Sequence, residues 1–223
     1  MSNINLHLGD CLEAMKQMGD NQFDLAIVDP PYGIGMDGGK IGFNGKMKRE
    51  GTTNLSLRGK IYKKKEWDKE PPPKEYFDEL FRVSKNQIIW GNNYFGIKGG
   101  AIFWDKDNGK SNFSDGEIAY QSFTNSVRKF KWRWHGFFQE QMDLQNKEVK
   151  IHPTQKPVKL YEWLLDNYAK EGDKILDTHL GSGSIAIACH NRKFDLDAWE
   201  IDEEYYNNAK KRVEQHMAQQ TLF

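Results

Sequence analysis

Phe23-Asp24-Leu25-Ala26-Ile27-Val28-Asp29-Pro30-Pro31-Tyr32 sets the reading of the chain. A short apolar run bounded by a turn signal predicts a strand buried on both faces. Two prolines cannot continue a central ladder, so the strand stops at Asp29. It leaves one carboxylate at a stiff turn, followed by an aromatic ring. The carboxylate and the Pro30 carbonyl can both accept hydrogen bonds from one amino group. An exocyclic amine of a base is a poor nucleophile, because its lone pair is delocalised into the ring. Two fixed acceptors favour a pyramidal nitrogen and stabilise the positive charge that develops on it during in-line transfer. Tyr32 offers a face on which a base can stack. A base inside a duplex reaches such a site only by leaving the stack.

Outward from this strip, strand and helix patterns alternate. Ile4–Leu8 reads as a short strand ending at Gly9-Asp10, and Leu12, Met15 and Met18 fall on one face of a short helix. Tyr76, Phe77, Leu80 and Phe81 mark a helix. Strands are predicted at 87–90, 101–104 and 117–121, with an aromatic–basic alternation at Lys131–His135. A helix is expected over Val158–Ala169, a strand over Lys174–Asp177, an apolar helix near Ser184–Cys189 and a strand over Phe194–Trp199. A polar helix closes the chain. This order implies an α/β fold with a largely parallel sheet.

The second chemical signal lies at Leu176-Asp177-Thr178-His179-Leu180-Gly181-Ser182-Gly183-Ser184, which reads as strand, tight turn and helix start. Glu200 ends the next strand, nineteen residues after Gly181. A carboxylate there can accept from both hydroxyls of a ribose. No third glycine follows at the dinucleotide spacing. That favours a nucleoside cofactor over a pyrophosphate one and disfavours a dehydrogenase.

The bulk numbers bound the rest. The 223 residues suffice for one α/β domain, and 38% apolar and 13% aromatic residues support a core. The net charge is zero, so any affinity for nucleic acid must come from patches. Cys11 and Cys189 give neither zinc spacing nor a disulfide framework. No leader pattern and no long apolar run is visible, so a cytoplasmic chain without membrane association is expected. From Lys40 to Lys65 there are nine Lys/Arg against one acid, Glu50. A basic, flexible insertion is therefore expected over 33–70.

Asp29-Pro30-Pro31-Tyr32, His152-Pro153-Thr154-Gln155-Lys156-Pro157 and Asp177…Gly181-Ser182-Gly183 occur in that order. In this the chain resembles the β class of DNA amino-methyltransferases, in which the catalytic motif precedes the cofactor motif. The resemblance covers roughly residues 4–30 and 75–215. It implies one domain with a Rossmann-like, mostly parallel sheet of seven strands, helices on both faces and a circularly permuted motif order. Ile4–Leu8 should then lie beside Phe194–Trp199.

The resemblance further implies methyl transfer from S-adenosylmethionine to N6 of a flipped-out adenine in DNA, with Asp29, Pro30, Pro31 and Tyr32 as the catalytic strip. Asp177, His179 and the Gly181-Ser182-Gly183 turn would lie on the methionine part of the cofactor. Glu200 and Ile201 would lie on the ribose side, and Asp10 and Cys11 near its adenine. Asp29, Thr154, Gln155 and Lys156 would complete the cofactor pocket, and Phe113–Glu117 resembles a segment lining the target-base pocket. Thr178-His179-Leu180 departs from the family, which usually has Pro-Phe there. No metal is implied.

DNA is the expected partner. Phosphate contacts are assigned to the 33–66 insertion and to Arg128, Lys129, Lys131 and Arg133, interleaved with Trp132 and Trp134. Residues 123–150 form the expected target-recognition region, small enough to leave open help from a second copy, and a cognate restriction nuclease is left open as a partner. Cytosine N4 is the nearer rival substrate. RNA or protein glutamine is more distant, since those families place the cofactor motif first.

Overall fold

The computed structural model describes residues 2–38, 62–109, 114–135, 138–140 and 147–220. Ten strands are found among them: β1 (Ile4–Leu8), β2 (Phe23–Val28), β3 (Ser84–Trp90), β4 (Gly100–Asp105), β5 (Gly116–Gln121), β6 (Val127–Lys131), β7 (Trp134–His135), β8 (Phe138–Gln139), β9 (Lys174–Asp177) and β10 (Asp195–Glu200). Six helices accompany them: α1 (Cys11–Met15), α2 (Lys74–Val83), α3 (Asn92–Phe95), α4 (Val158–Tyr168), α5 (Ser184–Arg192) and α6 (Glu203–Gln220). No described helix is long and apolar enough to cross a membrane.

The main sheet runs β1-β10-β9-β2-β3-β5-β4-β6, and a two-stranded ribbon joins β7 and β8. Only β5 runs against the others. The sheet thus has eight strands where seven were expected. The extra strand is β6, which adds parallel to the edge of β4 and buries Phe130. The expected Lys131–His135 strand is also divided, because β6 ends at Lys131 and pairing resumes in the ribbon at Trp134. The expected neighbourhood of the first and last strands is present, with Ile4 opposite Leu196 and Leu8 opposite Glu200.

The buried strands read in the sequence as continuous apolar runs because both faces are covered. Alternate residues of β2 and β3 part to opposite sides. Leu25, Ile27, Ile88 and Trp90 join the apolar cluster under α4, α5 and α6. Ala26, Val28 and Ile89 join the other, with Met15, Tyr76 and Leu80. Helix α5 is buried all along Ser184–Cys189, which accounts for its apolar sequence on every face. Glu162 is buried on α4 and is held by Lys159 at 2.7 Å and Asn191 at 2.8 Å.

The central pair, β9 and β2, places the site. From β9 the chain proceeds outward to β10, and from β2 it proceeds to β3 on the other side. Leu25 lies opposite Ile175 and Ala26 opposite Leu176, so Asp177 and Asp29 leave adjacent strand ends. A crevice at the carboxyl ends of strands, where the winding reverses, is the natural ligand site of an open α/β sheet.

Ile27 is fully buried at this point. Ile27→Ala is expected to destabilise the fold by about 2–5 kcal/mol, read as a lower midpoint in chemical denaturation with an unchanged slope.

Candidate active site

Asp29 follows β2 and is enclosed. Its Oδ1 accepts from the Tyr32 hydroxyl at 2.5 Å, and its Oδ2 accepts from Lys156 Nζ at 2.5 Å. Lys156 Nζ also lies 2.9 Å from Glu117 Oε2, an ion-pair contact, and donates to the Tyr32 oxygen at 3.3 Å. Lys106 donates to the other oxygen of Glu117. Four groups of alternating charge thus run Asp29–Lys156–Glu117–Lys106. Burial pushes the Asp29 carboxyl above its ordinary range, with Lys156 pulling it back and Glu117 adding to the rise. Burial opposes the charge on Lys156, but Asp29 and Glu117 outweigh it and raise the ammonium. Burial also opposes the charge on Glu117, yet Lys156 and Lys106 bring it down to about 2.

The turn after Asp29 is fixed by a residue that the sequence reading passed over. Asp68 accepts from the backbone N–H groups of Tyr32 at 2.7 Å, Gly33 at 2.8 Å and Met36 at 2.7 Å. Lys65, three residues earlier, is tied to Asp202 and Glu204, both at 2.9 Å, at the start of α6. The margins of the predicted insertion are therefore anchored on both sides of the crevice, while residues 39–61 lie outside the described residues.

Tyr32 stacks on Tyr94 with ring centroids 5.0 Å apart and meets Phe95 edge-on at 6.0 Å. Gly91 supports it from behind, since a Cβ there would sit 2.3 Å from the Tyr32 ring. Tyr94, Ile34 and Met36 are exposed. An aromatic and apolar rim thus surrounds the Asp29 carboxylate.

On the other side of the crevice, Asp177 ends β9 and accepts from His179 N–H at 3.0 Å. Burial pushes its carboxyl up to about 8. The Gly181 N–H donates to Glu200 Oε2 at 2.9 Å, and Asp202 N–H donates to Oε1 at 3.0 Å. Gly183 takes a φ of 74° before α5, and a Cβ there would meet Val213 at 3.0 Å. Arg212 braces the turn, donating to the Ser182 carbonyl at 2.8 Å and the Ser184 hydroxyl at 3.0 Å while pairing with Glu148 at 2.7 Å. Glu148 also accepts from Val158 N–H and so caps α4. Neither Arg212 nor Glu148 carried a sequence signal, because their roles depend on segments 64 residues apart.

Where the family usually has Pro-Phe, Thr178 joins a buried polar network. Its hydroxyl lies 2.6 Å from the Tyr76 hydroxyl and 2.9 Å from His179 Nδ1. The His179 ring meets Tyr76 edge-on, and burial brings it down to about 4, so it is neutral near pH 7. Asp10 caps α1 through Leu12 N–H at 2.7 Å. Burial, with Asp10 beside it, pushes the Cys11 thiol up to about 12, which leaves it inert. Ile201 is exposed on the rim beyond Glu200.

The segment 152–157 joins the two halves. His152 stands 3.8 Å from where a Gly181 Cβ would be and packs edge-on against Tyr205. Thr154 bonds to the His152 ring, and Lys156 reaches Asp29. Gln155 is occupied within its own neighbourhood, accepting from Ile151 N–H at 2.8 Å and donating to the Val149 carbonyl.

Three of the four basic side chains of the expected phosphate-binding strip carry ion pairs. Lys129 pairs with Asp105 at 3.1 Å, and Lys131 and Arg133 pair with Asp107 at 2.9 and 2.5 Å. Trp134 is buried and donates its indole N–H to the Gln155 carbonyl at 2.7 Å. Trp132 packs against the core, and its carbonyl accepts from the Trp104 indole. The tryptophans build the sheet edge and the wall behind residue 155.

Comparison with known proteins agrees with this geometry. Residues 94–211, more than half of the chain, match the model of the family N6_N4_Mtase, DNA methylase. The chain is 27% identical over 236 residues to the type II methyltransferase M.HpaI of Haemophilus parainfluenzae, covering 92% of this chain and 72% of that one. It is 26% identical to the type II methyltransferase M2.MboI of Moraxella bovis, covering 83% and 78%. The fold is similar to that of the M1.HpyAVI–SAM complex, with a TM-score of 0.57, 20% identity and 94% and 99% of the chains covered. It is also similar to the cytosine-N4-specific PvuII DNA methyltransferase, with a TM-score of 0.56, 12% identity and 98% and 91% covered. A partly buried acceptor at the end of β2, a glycine turn at the end of β9 and a family match over residues 94–211, which contain that turn, lead to one assignment: the chain belongs to the N6_N4_Mtase family of DNA methylases.

Proposed function

We propose that the chain methylates N6 of adenine in DNA, using S-adenosylmethionine. The observation that carries this reading is the Asp29 carboxylate, partly buried at the strand crossover beside an aromatic ring pair and on the strand end adjacent to that of the glycine turn. The preference for adenine over cytosine N4 rests on Asp at the first position of the tetrapeptide, where the family leans to Ser for cytosine. The structural likeness to a cytosine-N4 enzyme keeps that base as the alternative outcome of the test.

The residues present suit the cofactor. Asp177 is a buried carboxyl with no ion pair among the described residues, which suits it to receive the cofactor's ammonium group. Glu200 ends β10 with its oxygens turned to the crevice backbone, where ribose hydroxyls can join them, and Ile201 offers an apolar face beside it. When bound, S-adenosylmethionine supplies a methyl group on a sulfonium centre whose sulfur keeps the electron pair of the broken bond. Asp29 Oδ1 and the Pro30 carbonyl accept from the two N–H groups of the target amine. They aim its lone pair and stabilise the charge that develops on nitrogen. Tyr32 and Tyr94 supply the stacking surface for a base out of the duplex. Asp68 keeps the Tyr32 backbone in place while its ring moves.

The recognition region 123–150 is small, and Lys129, Lys131 and Arg133 in it pair with acids. Phosphate contacts are therefore shared between this strip and the insertion, and a second copy would enlarge the recognised site. Sedimentation with cofactor and DNA reads this directly.

Incubation of DNA with methyl-labelled cofactor, followed by nucleoside mass spectrometry, should give N6-methyladenine. Label on N4-methylcytosine alone would replace the base assignment, and label only on RNA or protein would overturn the reading. Asp29→Ala is expected to remove turnover while leaving cofactor affinity within a few-fold of wild type. Unchanged turnover would refute the role given to Asp29. Asp68→Ala orphans three backbone donors and frees the turn; kcat should fall on the order of 100-fold with cofactor binding retained. An unaffected kcat would show that the turn holds without it.

A further inference from the structure

Both Asp29 oxygens already accept a hydrogen bond, so the target amine must share one of them or displace the partner there. The two partners differ. Tyr32 lies against Tyr94, which is 48% exposed, at the open side of the site. The Lys156 side chain is 3% exposed and touches two carboxylates. Its departure would leave Asp29 and Glu117 as neighbouring, partly buried anions, which is costly where water is largely excluded. Departure of the Tyr32 hydroxyl leaves Asp29 paired and frees one oxygen, and the ring that leaves is the one that stacks on the base.

Resting on the function proposed above, we propose that Lys156 and Glu117 are positioning residues for methyl transfer. The shared ammonium fixes Asp29 through Oδ2, and Oδ1 is the oxygen that the Tyr32 hydroxyl yields to the target amine. Lys156 therefore acts through Asp29 rather than by closing the cofactor pocket. Glu117 sets how much of the ammonium's charge Asp29 receives. Lys106 holds Glu117 from the far side, so the carboxylate stays ionised and cannot turn away. The Lys156 ammonium also lies 5.4 Å from the centre of the Trp90 ring, a contact that favours the cation where it stands.

The pH dependence separates this role from a structural one. Transfer requires ionised Asp29. The groups that influence it are Tyr32 on its own turn, Lys156, Glu117 on β5, Asp177 on β9, Tyr76 on α2 and Tyr161 on α4. The three tyrosines are pushed well above their ordinary values by burial and stay neutral. Lys156 lowers the Asp29 carboxyl and Glu117 raises it. Removing Lys156 must therefore move the loss of activity on acidification to higher pH, and neutralising Glu117 must move it to lower pH.

The test is the single-turnover rate on DNA as a function of pH, with cofactor affinity measured alongside. Lys156→Met should shift the acid limb upward by about 1–3 pH units, lower the rate at pH 7 and leave S-adenosylmethionine affinity unchanged. Glu117→Gln should shift the limb downward. Weakened cofactor affinity with an unmoved limb in Lys156→Met would place Lys156 on the cofactor and overturn the assignment. So would unmoved limbs in both variants. Should Lys156→Met fail to fold, Glu117→Gln decides alone, a downward limb supporting and an unmoved limb refuting. Wild-type turnover in the same runs tests the underlying function, so an active wild type with unmoved limbs sinks this assignment by itself.

Discussion

One buried ammonium holds the catalytic side of the fold together. Lys156 lies 2.5 Å from Asp29 and 2.9 Å from Glu117, and these join the end of β2, the 152–157 segment and the start of β5. The Lys156 ammonium could not stay charged there alone, since an unpaired charge in an apolar interior is costly. Paired there, it favours the ionised form of the Asp29 carboxyl, which burial otherwise pushes up. A neutral acid there would be a weaker acceptor for an amine acquiring positive charge. In the proposed reaction the ion cluster serves the chemistry as well as the packing.

The sheet supplies the geometry that this cluster needs. Because the winding reverses between β9 and β2, two carboxyl-bearing turns emerge side by side. One carries Asp177 and the glycine turn, and the other carries Asp29. Segment 152–157 then bridges them, with His152 against the glycine turn and Lys156 against Asp29. The residue that closes the site thus comes from neither half of the crevice.

Much of this was legible in the sequence. The β2 run ending at Asp29-Pro30-Pro31 and the glycine turn after Asp177 each carry a local signal, of apolar continuity or turn chemistry, and both stand where they were read. What could not be read were the pairings between distant segments. Asp68 holds the turn at Tyr32 across 36 residues, and Arg212 supports Ser182 across 30. No local pattern distinguishes such residues from solvated charges. The resemblance places Lys156 at the cofactor pocket, and nothing in the sequence signals its contacts with Asp29 and Glu117, which lie in distant segments. The alternation at 131–135 reads as one two-faced strand, but Trp134 turns inward, while Lys129, Lys131 and Arg133 pair with Asp105 and Asp107. Period-two patterns show that a strand has two faces; they do not show which face a neighbouring element covers.

The most direct measurement is a crystal structure of the chain with duplex DNA and an unreactive analogue of S-adenosylmethionine. The account predicts the target amine within hydrogen-bonding distance of Asp29 Oδ1, the Tyr32 ring against the base and Lys156 Nζ still on Oδ2. A structure with the Tyr32 hydroxyl still on Asp29 and Lys156 moved onto the cofactor or a phosphate would contradict it.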